Sequence, residues 1–303
     1  MTSVPDEGVL LAEVTEGRPG TLRHESLPEQ REGSRVGAFL RRLGPSVLNI
    51  YAFLVLLYLF VPILVIVLFS FNKPAGKFNF VWKGFSLEAW QHPFKYPALV
   101  DAMKLSLQVA AISTFIACVL GTLIALGLVR YRFRGSGSVN TFLVLPLTTP
   151  EVVMGSSLLT LFLDLYWNLG FVTIILAHVM FQISFVALTV KARIRGFDWT
   201  LEDAAMDLGA PPTRTFLRIT FPLILPGIIA AAMLSFALSL DDFIITLFNS
   251  GNKVTYPLYV NTAQKTSFPP QINVMASVIL GASLLLIGLS AVWSRYRTRG
   301  ARI

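Results

Sequence analysis

Charge is scarce in this chain. Only 14% of its 303 residues are Asp, Glu, Lys or Arg, against 54% hydrophobic, a balance that excludes an ordinary soluble domain. Cysteine is scarcer still: the single Cys118 cannot form a disulfide within the chain. Three histidines, His24, His92 and His178, are too scattered for a metal-ligand spacing, so no metal site is expected. No GxxxxGK[ST] stretch occurs, so ATP is not bound here through a phosphate loop. No cleavable signal peptide is evident. Gly155-Ser156-Ser157 together with His178 invites comparison with an intramembrane serine protease. Small residues at such spacing are common wherever apolar helices pack closely, so no catalytic residue is expected.

What the chain does have is length without charge. Ser46–Asn72, Leu105–Val129, Leu165–Val190, Ile219–Leu240 and Thr266–Ser294 contain no charged residue, and 139–163 is interrupted only by Glu151. A ~30 Å hydrocarbon core takes about 20 helical residues, so the expectation is an all-α membrane protein with six transmembrane helices. Odd numbers of spans sort the connecting segments into two sets. The N-terminal segment, 130–138, 191–222 and the C-terminal segment hold 18 of the 25 Lys and Arg residues. The other set, 71–104 and 249–272, holds seven, all Lys. The positive-inside rule assigns the first set, with both termini, to the cytoplasm. The net charge of +8 is therefore a topology signal, and no nucleic-acid partner is expected.

Residues 1–33 mix acids and arginines without a 3.6-residue period and are expected to be a disordered cytoplasmic tail. Residues 34–48 read as a short Arg-bearing interfacial elbow helix, 49–295 as the transmembrane domain, and 296–303 as a cytoplasmic tail. The aromatics of 71–104 (Phe78, Phe80, Trp82, Phe85, Trp90) suit interfacial anchoring, and Arg130, Arg132 and Arg134 suit topology determinants. In the third span, Pro146 and Pro150 each remove an intrahelical hydrogen bond. Thr149-Pro150-Glu151 resembles a helix start, with Pro at the first helical position. Broken helices at membrane depth line cavities or are packed in protein, and transporters place sites at such breaks. Glu151, Asp241 and Asp242 are costly acids inside or near spans. They are either caps and buried hydrogen-bonding groups or a negative lining for a cationic substrate. Adjacency lets at most one of Asp241 and Asp242 point into a central path.

Residues 201–222, LEDAAMDLGAPPTRTFLRITFP, form a polar island between two apolar runs. Thr200 can cap a short helix with Asp203 closing the capping box. Leu201, Ala204, Ala205 and Leu208 then fall at i, i+3, i+4 and i+7, a stripe suited to a groove on another protein. Gly209 and Pro211-Pro212 stop this helix, and a second short one runs through Phe216 and Ile219 to Pro222.

This island resembles the EAA loop of ABC-importer permeases: EAA, three residues, Gly, nine residues, then I-x-L-P. Here it reads Asp203-Ala204-Ala205, Gly209, Ile219 and Phe221-Pro222, with every spacing kept and Asp and Phe in place of Glu and Leu. SFN at 70–72, RYRFRG at 130–135, PEVVMGSSLL at 150–159 and LSFALSLDDF at 234–243 resemble the spermidine/putrescine branch, its second permease subunit in particular. The resemblance implies a type I ABC-importer transmembrane domain whose coupling loop, 199–222, docks on a cytoplasmic ATPase dimer. It also implies a second related permease subunit and an extracytoplasmic solute-binding protein, with lipid around the spans. ATP and Mg would be bound by the ATPase, and this chain would hold no cofactor. Another organic cation, an opine or an iron complex is the alternative cargo. A self-sufficient secondary transporter and a membrane-embedded enzyme are the competing classes.

Overall fold

The computed structural model describes the backbone of residues 35–131 and 133–300; the tail expected over 1–33 and the last three residues lie outside the described residues. The chain divides into two compact units, 1–59 and 60–303. In the first, the described residues are helical throughout, and helix α1 (Arg35–Phe69) runs on without interruption. The elbow expected over 34–48 is therefore continuous with the first span, because Gly44-Pro45 does not break the helix. Every regular element among the described residues is helical, with two isolated β-bridges, Asn72 to Phe85 and Phe78 to Phe268.

In the second unit, α3 (Pro97–Arg130) and α6 (Phe171–Ile194) form the central pair, with the four-residue α2 (Glu88–Gln91) preceding them. Pro97 opens α3, where its missing N–H costs nothing, and Arg130 closes it at the negative end of the helix dipole. α6 begins where the Gly170 N–H donates to Thr173 Oγ1 at 2.8 Å, and ends on Lys191 and Arg193. The pair approaches closely because Gly121 has no side chain: a Cβ there would lie 2.8 Å from Val186. Ala117, Ala125, Val186, Val190 and Ile194 pack the seam, joined by Ile224 and Ala231.

The proline-bearing third span breaks as expected, but one residue out of phase. α4 (Ser136–Thr148) and α5 (Glu151–Asp164) meet at 108°. Pro150 is the residue before α5 rather than its first, and its φ of −56° with ψ of 134° is extended. The second short helix expected over Phe216–Pro222 is instead the start of the fifth span. α8 (Pro212–Thr215) passes through a π turn at Phe216–Thr220 into α9 (Phe221–Asp241). Pro222 does not stop it. A prolyl ring crowds the carbonyl four residues earlier, and the wider turn, closed by the Phe221 N–H on Phe216 O, relieves that crowding.

After Asp241 the chain breaks a second time and resumes as α10 (Ile244–Asn249), α11 (Tyr256–Thr266) and α12 (Pro270–Gly300). Among the described residues, four helical stretches are long and apolar enough to cross a bilayer: Val47–Phe69, Pro97–Arg130, Phe171–Ile194 and Pro212–Asp241. The bent α4–α5 pair makes a fifth if it counts as one span, and the Pro270–Leu285 part of α12 is apolar as well.

The two ends of the unit differ in kind. At one end, Asn72 clasps a loop by donating to Asn79 Oδ1 and Val81 O at 2.7 and 2.8 Å. Phe268 exchanges 2.9 Å backbone hydrogen bonds with Lys77 and Asn79. The aromatics expected as anchors here stack on one another, Phe71 against Phe85 and Trp90, and Phe80 against Phe78 and Phe268. The other end carries α7 (Thr200–Asp207), which holds most of the polar island.

Candidate functional site

Helix α7 is capped from outside. The expected Thr200 cap does not form, because Asp198 Oδ1 accepts both the Thr200 N–H at 3.1 Å and its hydroxyl at 2.7 Å. These two donors hold the exposed Asp198 carboxyl below the usual carboxylate range. Its contribution is therefore complete at neutral pH and is lost only as pH falls through that lowered value. At the far end, the Gly209 N–H donates to Met206 O at 2.8 Å and the Ala210 N–H to Ala205 O at 3.1 Å. That is a Schellman motif, and Gly209 occupies its left-handed position with φ of +85°.

Between these caps the helix has two faces. Leu201, Asp203, Ala204, Asp207 and Leu208 are exposed, Leu208 by 90%. A leucine exposed at that level, along with the exposed Leu201, leaves an apolar strip that none of the described residues covers, and Leu217 and Phe221 are exposed as well. Ile219 is half-buried and Pro222 exposed. The inward face is held by Glu202, only 3% exposed, whose Oε2 lies 2.9 Å from Arg130 Nη2 at the end of α3. Its other oxygen accepts from the buried Thr220 hydroxyl. The Arg130 guanidinium also lies 5.7 Å from the Trp199 ring centre. Sequence reasoning passed over Glu202, which sits beside the stronger Asp203-Ala204-Ala205 signal, and took Arg130 for a topology determinant.

The two helix breaks meet. Thr149, Pro150 and Glu151 at the first, and Asp241, Asp242 and Phe243 at the second, line a single cavity of about 450 Å³ with Phe181, Phe185 and Leu238. The three acids singled out from the sequence are thus brought together, in different roles. Glu151 and Asp241 are exposed. Asp241 also lines a second, mostly apolar cavity of about 580 Å³ beside Tyr256, Asn261, Gln264 and Ser283. Asp242 is buried, and its Oδ2 accepts from the Thr246 N–H at 2.8 Å and the Thr246 hydroxyl at 2.6 Å, which fastens the first turn of α10. The same oxygen lies 3.2 Å from His178 Nε2. The two carboxylates of the dyad thus differ in burial, Asp241 exposed and Asp242 buried, although both border the cavity.

His178 extends that contact into a network through the unit. Its Nε2 also meets Thr246 Oγ1 at 3.0 Å and its Nδ1 meets Ser239 Oγ at 2.7 Å. Ser239 lies 3.3 Å from Ser113 Oγ. Gln182 Nε2 donates to that serine and to Ser235 O, both at 3.2 Å. These buried groups link α3, α6, α9 and α10 at the level of the cavity. Nothing in the sequence paired them, because His178 and Asp242 stand 64 residues apart and meet only in the folded unit.

Residues 117–298 match the family model described as a binding-protein-dependent transport system inner membrane component. The chain is 37% identical to a spermidine/putrescine transport system permease protein, PotC, of Haemophilus influenzae, across 82% of this chain and 96% of that one. It is 39% identical to a putrescine transport system permease protein, PotI, of Escherichia coli, across 81% and 89%. Among solved structures it is similar to a bacterial ABC transporter involved in the import of the acidic polysaccharide alginate. There the TM-score is 0.62 at 17% identity, across 85% of this chain and 96% of that one. With its broken spans, its capped polar island and these relatives, the chain belongs to the family of binding-protein-dependent transport system inner membrane components.

Proposed function

We propose that this chain is the second permease subunit of a polyamine ABC importer, moving spermidine or putrescine inward by alternating access. The observation that carries the reading is the joining of two features in one fold. A doubly capped helix exposes an apolar strip, Leu201, Ala204 and Leu208, and two carboxylates, Glu151 and Asp241, lie at the meeting of two helix breaks. The names of the relatives supply the substrate class. Polyamines are multivalent cations, and an acidic path complements them.

In this reading six spans cross the inner membrane with both termini cytoplasmic, which places 18 of the 25 Lys and Arg residues inside. α7 sits in a cleft of an ATPase dimer through Leu201, Ala204 and Leu208, with Asp203 and Gly209 setting the shape of the island. A second permease subunit completes the pore, and an extracytoplasmic binding protein delivers the cargo. ATP and Mg belong to the ATPase. Closure of the ATPase pair moves α7, and the spans rotate as bodies to open the cavity outward.

The test is uptake of labelled spermidine and putrescine by proteoliposomes holding the complete assembly. Uptake that requires ATP inside and the binding protein outside supports the reading. Stimulation instead by an opine- or iron-loaded binding protein would replace the substrate class and leave the permease assignment standing.

A further inference from the structure

Glu202 stands apart from the rest of the polar island. Every other acid between 198 and 207 is exposed, whereas Glu202 is turned under the helix and shielded from solvent. A carboxylate is expensive to bury unless paired and hydrogen-bonded, and here each oxygen has its own partner from a different span. Oε2 takes the Arg130 guanidinium from the end of α3 at 2.9 Å, and Oε1 takes the Thr220 hydroxyl from the π turn that leads into α9. Arg130 is held in turn by Trp199, the residue before α7, and Trp199 packs against Phe197. Three elements, α7, α3 and the root of α9, therefore converge on one side chain.

We propose that Glu202 is the positioning residue through which displacement of α7 is passed to the spans. The inference rests on the reading that α7 docks on the ATPase. α7 reaches the rest of the unit through short connections, and none of its residues belongs to the buried apolar clusters found among the described residues. An ion pair with a fixed two-oxygen geometry resists shear as well as separation. The helix that carries the apolar docking strip on one side thus carries, on the other, a rigid link to two spans. Without that link α7 can follow the ATPase while α3 and α9 lag behind.

The experiment compares uptake per ATP hydrolysed in proteoliposomes of the complete assembly for wild type, Glu202→Gln, Arg130→Gln and the double variant. The expected result is retained hydrolysis with uptake per ATP lowered tenfold or more in each single variant. The double variant should be no worse than the worse single, since one link is broken in all three. Thr220→Val, which removes one hydroxyl, should lower the ratio by a smaller factor of about three and serves where Glu202→Gln fails to reach the membrane. A ratio equal to wild type in either variant, or uptake and hydrolysis falling in proportion, overturns the proposal. Leu208→Arg separates the two levels of argument. If it leaves co-purification with the ATPase intact, the docking reading fails; if it abolishes co-purification while Glu202→Gln couples normally, only the link fails.

Discussion

Replacing Gly209 isolates backbone conformation from contact. Its φ of +85° lies in the left-handed region, and a Cβ built there meets nothing within 4 Å. A Cβ at 209 therefore meets no neighbour among the described residues, and the cost of adding it is set by the backbone conformation. For a β-branched residue that cost is about 1–2 kcal/mol, which shifts the population of the Schellman cap by a factor of roughly 5–30. Asn tolerates the left-handed region much better. Gly209→Val should thus insert and assemble normally yet lose most ATP-coupled uptake, because α7 is no longer closed at its docking end. Gly209→Asn should keep most of it. The assay is uptake and ATP hydrolysis in proteoliposomes, with membrane content measured by immunoblot. Wild-type uptake by the Val variant would refute the role of the cap. Equal damage from Asn and Val would show that a partner needs bare backbone at this point, and the conformational argument would fall.

The acids at the helix breaks separate by assay. Asp241→Asn and Glu151→Gln should lower polyamine uptake, on the order of tenfold for one lost charge pairing, with thermal stability unchanged. Wild-type uptake by both would remove them from the substrate path. Asp242→Asn should instead lower the unfolding temperature in detergent, since it weakens the Thr246 and His178 contacts, and lower uptake only in consequence. His178→Ala should cost about 1–3 kcal/mol for each buried partner left unsatisfied, read as a drop in thermal stability. An unchanged midpoint would mean that water replaces the imidazole.

The backbone plan was largely legible from charge and proline. Charge-free runs located the helices, Pro150 located the first break, and Gly209 located the end of α7. Two of the local expectations failed for identifiable reasons. Thr200 does not cap α7 because Asp198, two residues earlier, competes for its N–H and hydroxyl. Pro222 does not stop a helix because a π turn makes room for its ring. The second break carries no proline; at it the Asp242 carboxylate accepts the Thr246 N–H and hydroxyl in the first turn of α10, a contact that only the folded chain reveals. The polar network followed the same rule. His178 looked isolated because its partners come from other helices, and Glu202 looked like one acid among several until its burial set it apart.

The central claim is that this chain moves polyamine only when driven through α7 by a separate ATPase. It is tested most directly by spermidine uptake into proteoliposomes holding this chain with its second permease subunit, with and without the ATPase, under an imposed ion gradient or with ATP. The account predicts uptake only with the ATPase, ATP and binding protein together, and none from the gradient. Gradient-driven uptake by the permease subunits alone would contradict it.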